Sequence, residues 1–319
     1  MNKLGAWISA ARLRTLPLSI SGIIVGSSIG NRLNIEKLIH SGDLSLEHFE
    51  SPYFFKTEIF WFAIATTLGL QILSNFANDY GDGVKGTDNE DRVGPQRALQ
   101  SGLISKREMG IGIIITALIS FGLAMKLIYT SFGEAYFYYT VFFSVLGLAA
   151  IAAAIKYTVG KSAYGYRGLG DLFVFIFFGL VSVLGCFFLY TKHMNISVFL
   201  PAITIGLLSV AVLNLNNMRD YNSDKKANKN TLVVKIGLAQ ARKYHFMLIT
   251  MAMLSMLLFL IIHYRGPKDL FFMIAFVPLL IHVNKVARTK DSELLDPELK
   301  KVALTTFLLS ILFSLSQIL

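Results

Sequence analysis

The sequence predicts an all-α protein that crosses a membrane about nine times, with its helices packed in one bundle. Three observations predict this. Hydrophobic residues make up 54% of the 319, and charged residues only 16%, against about 45–50% and about 25% in a soluble domain. The mean hydropathy is +0.57. The apolar residues gather into nine long runs, each near the length of about 20 residues that a spanning helix needs.

In chain order the runs are 15–30, 58–78, 109–129, 135–155, 169–190, 198–217, 244–263, 270–286 and 302–319. The first follows Arg12 and Arg14 and is short unless it begins near Trp7. No signal-peptide cleavage site follows it, so it reads as a membrane helix. The second and sixth each end in an acidic cluster, and the third and fourth carry no such feature. The fifth holds the single cysteine, Cys186, which reads as a small core residue and excludes an internal disulfide. The last three are apolar runs with His245, His263 and His282 in or near them. No two of the six histidines form a convincing metal pair with a third ligand. Segment 31–56 reads as an outward-facing polar insertion between helices 1 and 2, with a short surface helix around 44–49. Residues 1–319 read as a single membrane domain.

The loop charges give an orientation. With the N-terminus inside, 23 of the 30 Lys and Arg fall on the cytoplasmic side and 7 on the other. That bias is a strong positive-inside signal. It accounts for the net charge of +10 as topology and argues against a nucleic-acid partner. It also places both acidic clusters on the cytoplasmic side, where an active site would face.

The first cluster is Asn75, Asn78, Asp79 and Asp82, spaced so that all four share one helical face. Asp88 follows in a glycine-containing stretch. The second cluster is Asn217, Asp220 and Asp224, again on one face, with Arg219 and Lys225 within reach of a bound anion. One such cluster is also what a solvated helix end rich in capping residues would show. Two of them, similarly spaced on one side of the membrane, point to function, because carboxylates near membrane depth are costly. Clustered carboxylates repel unless a cation lies among them. Mg²⁺ prefers a few carboxylates together with substrate phosphate oxygens, and Lys and Arg take the remaining phosphate charge. The similarity of the clusters also fits a weak internal duplication.

Asn78-Asp79-x-x-Asp82 on the second helix and Arg219-Asp220-x-x-x-Asp224 on the sixth resemble the motif pair of the UbiA superfamily of intramembrane prenyltransferases. Finer matches resemble its MenA type, which acts on 1,4-dihydroxy-2-naphthoate. These are Ala11–Pro17, the run from Asn78 to Pro95, Tyr164-Gly165-Tyr166-Arg167-Gly168-Leu169-Gly170-Asp171, and Asn216 to Leu232. There are departures. Gly86 stands where the superfamily commonly has its last first-motif Asp, with Asp88 two residues later. Asp171 replaces a more frequent Glu, and Asn230 a frequent Arg.

The resemblance implies transfer of a polyprenyl group from polyprenyl diphosphate to the naphthoate at the bacterial cytoplasmic membrane. Its carboxylate leaves as CO₂, and the product is a menaquinone (vitamin K2) precursor. The implied cofactor is Mg²⁺, as two ions bridging the diphosphate. Asn78, Asp79, Asp82, Asp88, Asp220 and Asp224 are the expected metal ligands, with Asn75 and Asn217 orienting them. Lys85, Lys161 and Arg219 are the expected diphosphate cations, followed by Arg14 and Arg97. Tyr157 and Lys161 form a Tyr-x-x-x-Lys pattern that also resembles a superfamily motif. Each loop cation taken alone reads first as a topological charge and only second as a diphosphate ligand. Asp171 begins an apolar segment. It either orients the aromatic substrate or accepts its proton, or it is a helix-start acid favoured by the dipole. Phe173, Phe175, Phe177, Phe178, Tyr164 and Tyr166 are candidates for shielding a carbocation. A UbiA-type enzyme with another acceptor, 4-hydroxybenzoate, homogentisate or a haem, is the nearest alternative. A transporter would instead hold its carboxylates near the midplane on broken helices.

Overall fold

The computed structural model describes residues 2–41, 53–87 and 96–319. Among these there is no strand, and nine segments are long and apolar enough to cross a membrane. A short helix, α1 (Lys3–Ala11), precedes α2 (Leu16–Ser41), α3 (Glu58–Lys85), α4 (Lys106–Phe132), α5 (Phe137–Lys156) and α6 (Gly170–Thr191). Then come α7 (Phe199–Arg219), the short α8 (Tyr221–Lys226), α9 (Leu232–His263), α10 (Phe276–Arg288, led by a 3₁₀ segment Pro267–Ala275) and α11 (Asp296–Ile318).

The helix ends follow local chemistry. Thr57 caps α3 by accepting from the Phe60 N–H, and Gly86 stops it with φ +72°, a left-handed position that suits glycine. Ser105 and Glu108 form a reciprocal capping box at the start of α4. Thr231 caps α9, which Gly237 then kinks with φ +79°.

Several boundaries differ from the sequence reading. Residues 31–41, expected to begin a polar insertion, continue α2 instead. Asn31 is buried there, and Asn34 donates to the Tyr190 carbonyl at 2.9 Å. Polar side chains with partners do not end a helix; hydropathy reports only where the apolar run stops. The expected surface helix at 44–49 lies outside the described residues. The second run was expected to end at 78, but α3 continues to Lys85, so the whole first cluster is helical. The seventh run gains the lead-in 232–243, whose charged residues masked it.

Close helix contacts use small residues, as in membrane bundles generally. A Cβ on Gly26 would stand 2.4 Å from the Val183 carbonyl oxygen, and one on Gly179 would stand 2.7 Å from the Gly206 Cα. These contacts seat α6 on α2 and α7. Across α9, α10 and α11, His245 and His282 share a 2.7 Å Nε2–Nε2 hydrogen bond, and His282 Nδ1 meets Glu298 at 2.7 Å. All three side chains are buried, so the polar chain ties three helices where unpaired groups would be costly. On the other side, α5 packs on α3 and α4 while α6 packs on α2 and α7. The space left between these walls is the main cleft.

Candidate active site

The cleft has an internal volume of about 410 Å³, within the range of small-molecule sites. Its deeper walls are apolar: Ile128, Phe143, Leu146, Phe177 and Val181 line it. Residues Phe175–Gly185 of α6 are π-helical. This i→i+5 bonding is rare and favours functional positions, and here the adjacent pairs Phe177/Phe178 and Val181/Ser182 both face the cleft. Near the cleft mouth, Tyr164 stacks on Phe173 with ring centroids 4.0 Å apart. Phe175 packs instead against Gly206.

The mouth is built from the two motif ends. Asn75, Asn78 and Asp82 from α3, with Asn217 and Asp220 from α7 and Asp224 from α8, all line it. Between them stands Lys229, its Nζ 3.5 Å from Asp82 and 3.6 Å from Asp224. The chain reverses at Asn228, φ +54°, and the Lys229 N–H bonds the Asp224 carbonyl at 2.8 Å. That turn aims the lysine back at the carboxylates. Burial alone would lower the Lys229 ammonium, but Asp82 and Asp224 overcome this and hold it above its usual range. Burial pushes the Asp224 carboxyl up to about 6; Lys229 opposes this, while Asp220 and Asp82 add to it. Burial likewise pushes the Tyr157 phenol up to about 12, so this cleft-lining residue is a proton-bearing donor at neutral pH.

Further groups brace the carboxylates. Asp79 was expected among the metal ligands, but it is buried behind the lining, 2.6 Å from Arg12 and 3.5 Å from Arg97, which occupy its charge. Arg12 reaches it because the α1 cap is left-handed at this residue, φ 52°. Asn75 donates to the Ala11 carbonyl at 2.9 Å, which fixes that cap against α3. Tyr166 donates to Asp82 at 2.7 Å, with Thr87 at its own hydroxyl.

The expected site residues therefore divide. Asn75, Asn78, Asp82, Arg97, Tyr157, Asn217, Asp220 and Asp224 meet at one cleft. Arg219 was expected to face the diphosphate. It is buried beside the cleft, with its guanidinium engaged by Asp220, Asp296 and Asn216. Lys85 donates to the Thr158 carbonyl at 2.7 Å and lies over the Tyr166 ring. Lys161 and Arg14 are exposed and outside the lining. Asp171 is buried in the first turn of α6 and accepts a hydrogen bond from Tyr244, also outside the lining. Asp88 lies outside the described residues. Sequence reasoning missed Arg12, Lys229 and the role of Tyr166 at Asp82. Among the described residues no three His, Cys, Asp or Glu side chains form a closed metal-holding group.

Nine candidate spans among the described residues, with an apolar cleft opening under paired carboxylates and a buried lysine, have the make-up of an intramembrane enzyme for a substrate with an anionic head and an apolar tail. Residues 48–312 match the UbiA prenyltransferase family, and the chain belongs to that family. It is 38% identical to a protein of Haemophilus influenzae named 1,4-dihydroxy-2-naphthoate octaprenyltransferase, over 98% of this chain and 96% of that one. An Escherichia coli protein of the same name is also 38% identical, over 97% and 94%. The fold matches a UbiA homolog from Archaeoglobus fulgidus bound to DMAPP and Mg²⁺, with a TM-score of 0.65 at 15% identity, covering 98% of this chain and 97% of that one.

Proposed function

We propose that this chain transfers a polyprenyl group from polyprenyl diphosphate to 1,4-dihydroxy-2-naphthoate, with loss of CO₂ and diphosphate, giving demethylmenaquinol. The observation that carries this is the meeting of both acidic motifs over Lys229 at the mouth of an apolar cleft, in a chain similar over its length to proteins of that name. The tail lies along the apolar walls, and the diphosphate lies at the carboxylate end.

The donor set fits a divalent cation. Asn78, Asp82, Asp220 and Asp224 offer oxygen ligands, and Asp224 Oδ2 is buried without a hydrogen-bond partner among the described residues. Two open half-sites, rather than one closed cage, suit Mg²⁺, which takes few carboxylates and relies on substrate phosphate oxygens. They support two ions, one per motif. When bound, Mg²⁺ would neutralise charge growing on the departing diphosphate. Lys229 and Arg97 line the same mouth and supply positive charge to the leaving group as the allylic C–O bond ionises. Tyr164, Phe173 and Phe177 face the cleft where an electron-deficient carbon would form, and their ring faces would stabilise it. The ring carbon bearing the carboxylate then attacks, and as CO₂ departs the pair of the broken ring–carboxylate bond stays in the ring and restores aromaticity. Asp171, bonded to Tyr244 outside the lining, is the residue that orients the acceptor; its neighbour Gly170 lies against Tyr157, which does line the cleft, and a Cβ on Gly170 would stand 3.1 Å from that hydroxyl.

The chain is a multi-pass membrane protein. We place it as one domain in a bacterial cytoplasmic membrane with the N-terminus and motif loops inside, supported by the 23-to-7 distribution of Lys and Arg.

The test uses purified protein, a long polyprenyl diphosphate, Mg²⁺ and carboxyl-labelled aromatic acids in competition. Labelled CO₂ is expected from 1,4-dihydroxy-2-naphthoate and is lost with EDTA. Prenylation of 4-hydroxybenzoate instead would overturn the acceptor, and no transfer to any acceptor would favour a transporter.

Metal binding should also depend on pH with a definite sign. The Asp224 carboxyl, raised by burial to about 6, must lose its proton to bind a cation. Above about pH 7 the Mg²⁺ half-saturation point should be flat. Below pH 6 it should rise, approaching about tenfold per unit where one proton competes with the metal. A midpoint flat down to pH 4.5 would remove Asp224 from the ligand set.

A further inference from the structure

Asp220 is a proposed ligand whose two oxygens are already occupied. Arg219 grips them as a fork, Nε on Oδ1 at 2.7 Å and Nη2 on Oδ2 at 2.7 Å. The Asn216 amide adds a third contact at 3.4 Å. A cation can use Asp220 only if the carboxylate turns away from this fork.

The obstacle is the arginine left behind. Arg219 is 3% exposed, and a buried guanidinium without a counter-charge is strongly unfavourable. The structure supplies one. Asp296, the first residue of α11, meets Arg219 Nη1 at 2.5 Å, and Asn216 accepts from Nη2 at 2.9 Å. Asp296 is 43% exposed and outside the cleft lining, so it does not reach the substrate. It sits in the first turn of a helix, where the dipole favours an anion, and Pro297 at the second position needs no hydrogen-bond acceptor.

We infer that Asp296 is a positioning residue for metal binding: it keeps Arg219 paired when Asp220 turns from the guanidinium to the cation. The inference rests on the Mg²⁺ reading above. Without the Asp296 charge, Arg219 holds Asp220 as its sole carboxylate partner, and the cation must displace it.

The test is calorimetric titration of Mg²⁺ into detergent-solubilised protein, with and without geranyl thiodiphosphate as an unreactive head-group probe. Asp296→Asn should raise the Mg²⁺ half-saturation concentration about tenfold, with the KM for Mg²⁺ in turnover rising in parallel. Asp296→Glu should restore it to within about threefold. A purely structural role would lower the folded fraction but leave the midpoint of the folded protein unchanged, and that outcome overturns the inference. A midpoint unchanged or lowered in well-folded Asp296→Asn overturns it also, while normal wild-type binding keeps the metal reading. If the wild type shows no saturable Mg²⁺ binding, both fall together.

Discussion

Asp82→Asn and Asp224→Asn should each lower prenyl transfer at least about 10³-fold, the scale of losing a principal electrostatic contact to a developing charge. Neither change should unfold the protein. The two carboxylates come from different helices and meet over Lys229, so each substitution removes one charge from a shared site and keeps an amide oxygen of nearly the same shape. Asp82→Asn still offers that oxygen to the Tyr166 hydroxyl, which donates at 2.7 Å. Asp224→Asn removes a buried carboxylate whose ionisation burial already opposes, so the metal-free fold should be as stable or more so. The measurement is single-turnover transfer at saturating Mg²⁺, with thermal unfolding in detergent as the control. Asp79→Asn is the contrast. Asp79 is bonded to Arg12 and Arg97 behind the lining, so its loss should lower stability together with activity. Activity within tenfold of wild type in either Asp82→Asn or Asp224→Asn would overturn the two-motif site.

The fold was legible because lipid imposes one rule on every segment. A run of apolar residues about 20 long must be a helix, since no other backbone conformation satisfies its own polar groups there. The positions of α4 and α5 follow from that alone. The rule fails where a helix leaves the apolar layer and continues. Asn31, Asn34 and Arg32 carry α2 onward because each has a partner, Arg32 reaching Glu36 at 2.6 Å and Gln317 at 2.7 Å. Hydropathy cannot see partners.

The site was legible where its residues share a helix face, as Asn75, Asn78 and Asp82 do. Residues that arrive by a turn were not. Arg12 and Arg14 look equivalent in sequence, yet the left-handed Arg12 sends its side chain to Asp79 while Arg14 is exposed. Lys225, Lys226 and Lys229 look like one basic loop, yet only Lys229 lines the cleft, because the reversal at Asn228 brings it back. An asparagine, a residue type that tolerates positive φ, standing just before a lysine and after an acidic motif was the available signal. Arg219 shows the opposite case: its spacing puts it near an anion, and the anion it meets is its own neighbour Asp220.

Lys229→Met should separate two effects that a loss of activity alone would merge. The ammonium lies 3.5 Å from Asp82 and 3.6 Å from Asp224, and the same carboxylates hold its proton tightly. It therefore competes with any cation for them. With the competitor gone, Mg²⁺ alone should bind several-fold more tightly to Lys229→Met than to wild type. The diphosphate then loses the buried cation that lines its site, and kcat/KM for transfer should fall about 10²–10³-fold. Lys229→Arg should recover part of the rate, since its charge remains but its larger fork fits the same gap poorly. Calorimetry without diphosphate reads the first effect, and single-turnover transfer reads the second. Weaker Mg²⁺ binding by Lys229→Met would mean that the lysine assembles the carboxylates rather than holding the place of the metal. Opposite signs in the two measurements are what a placeholder requires, since the charge that pairs with Asp82 and Asp224 has to serve the leaving group once a cation takes those carboxylates.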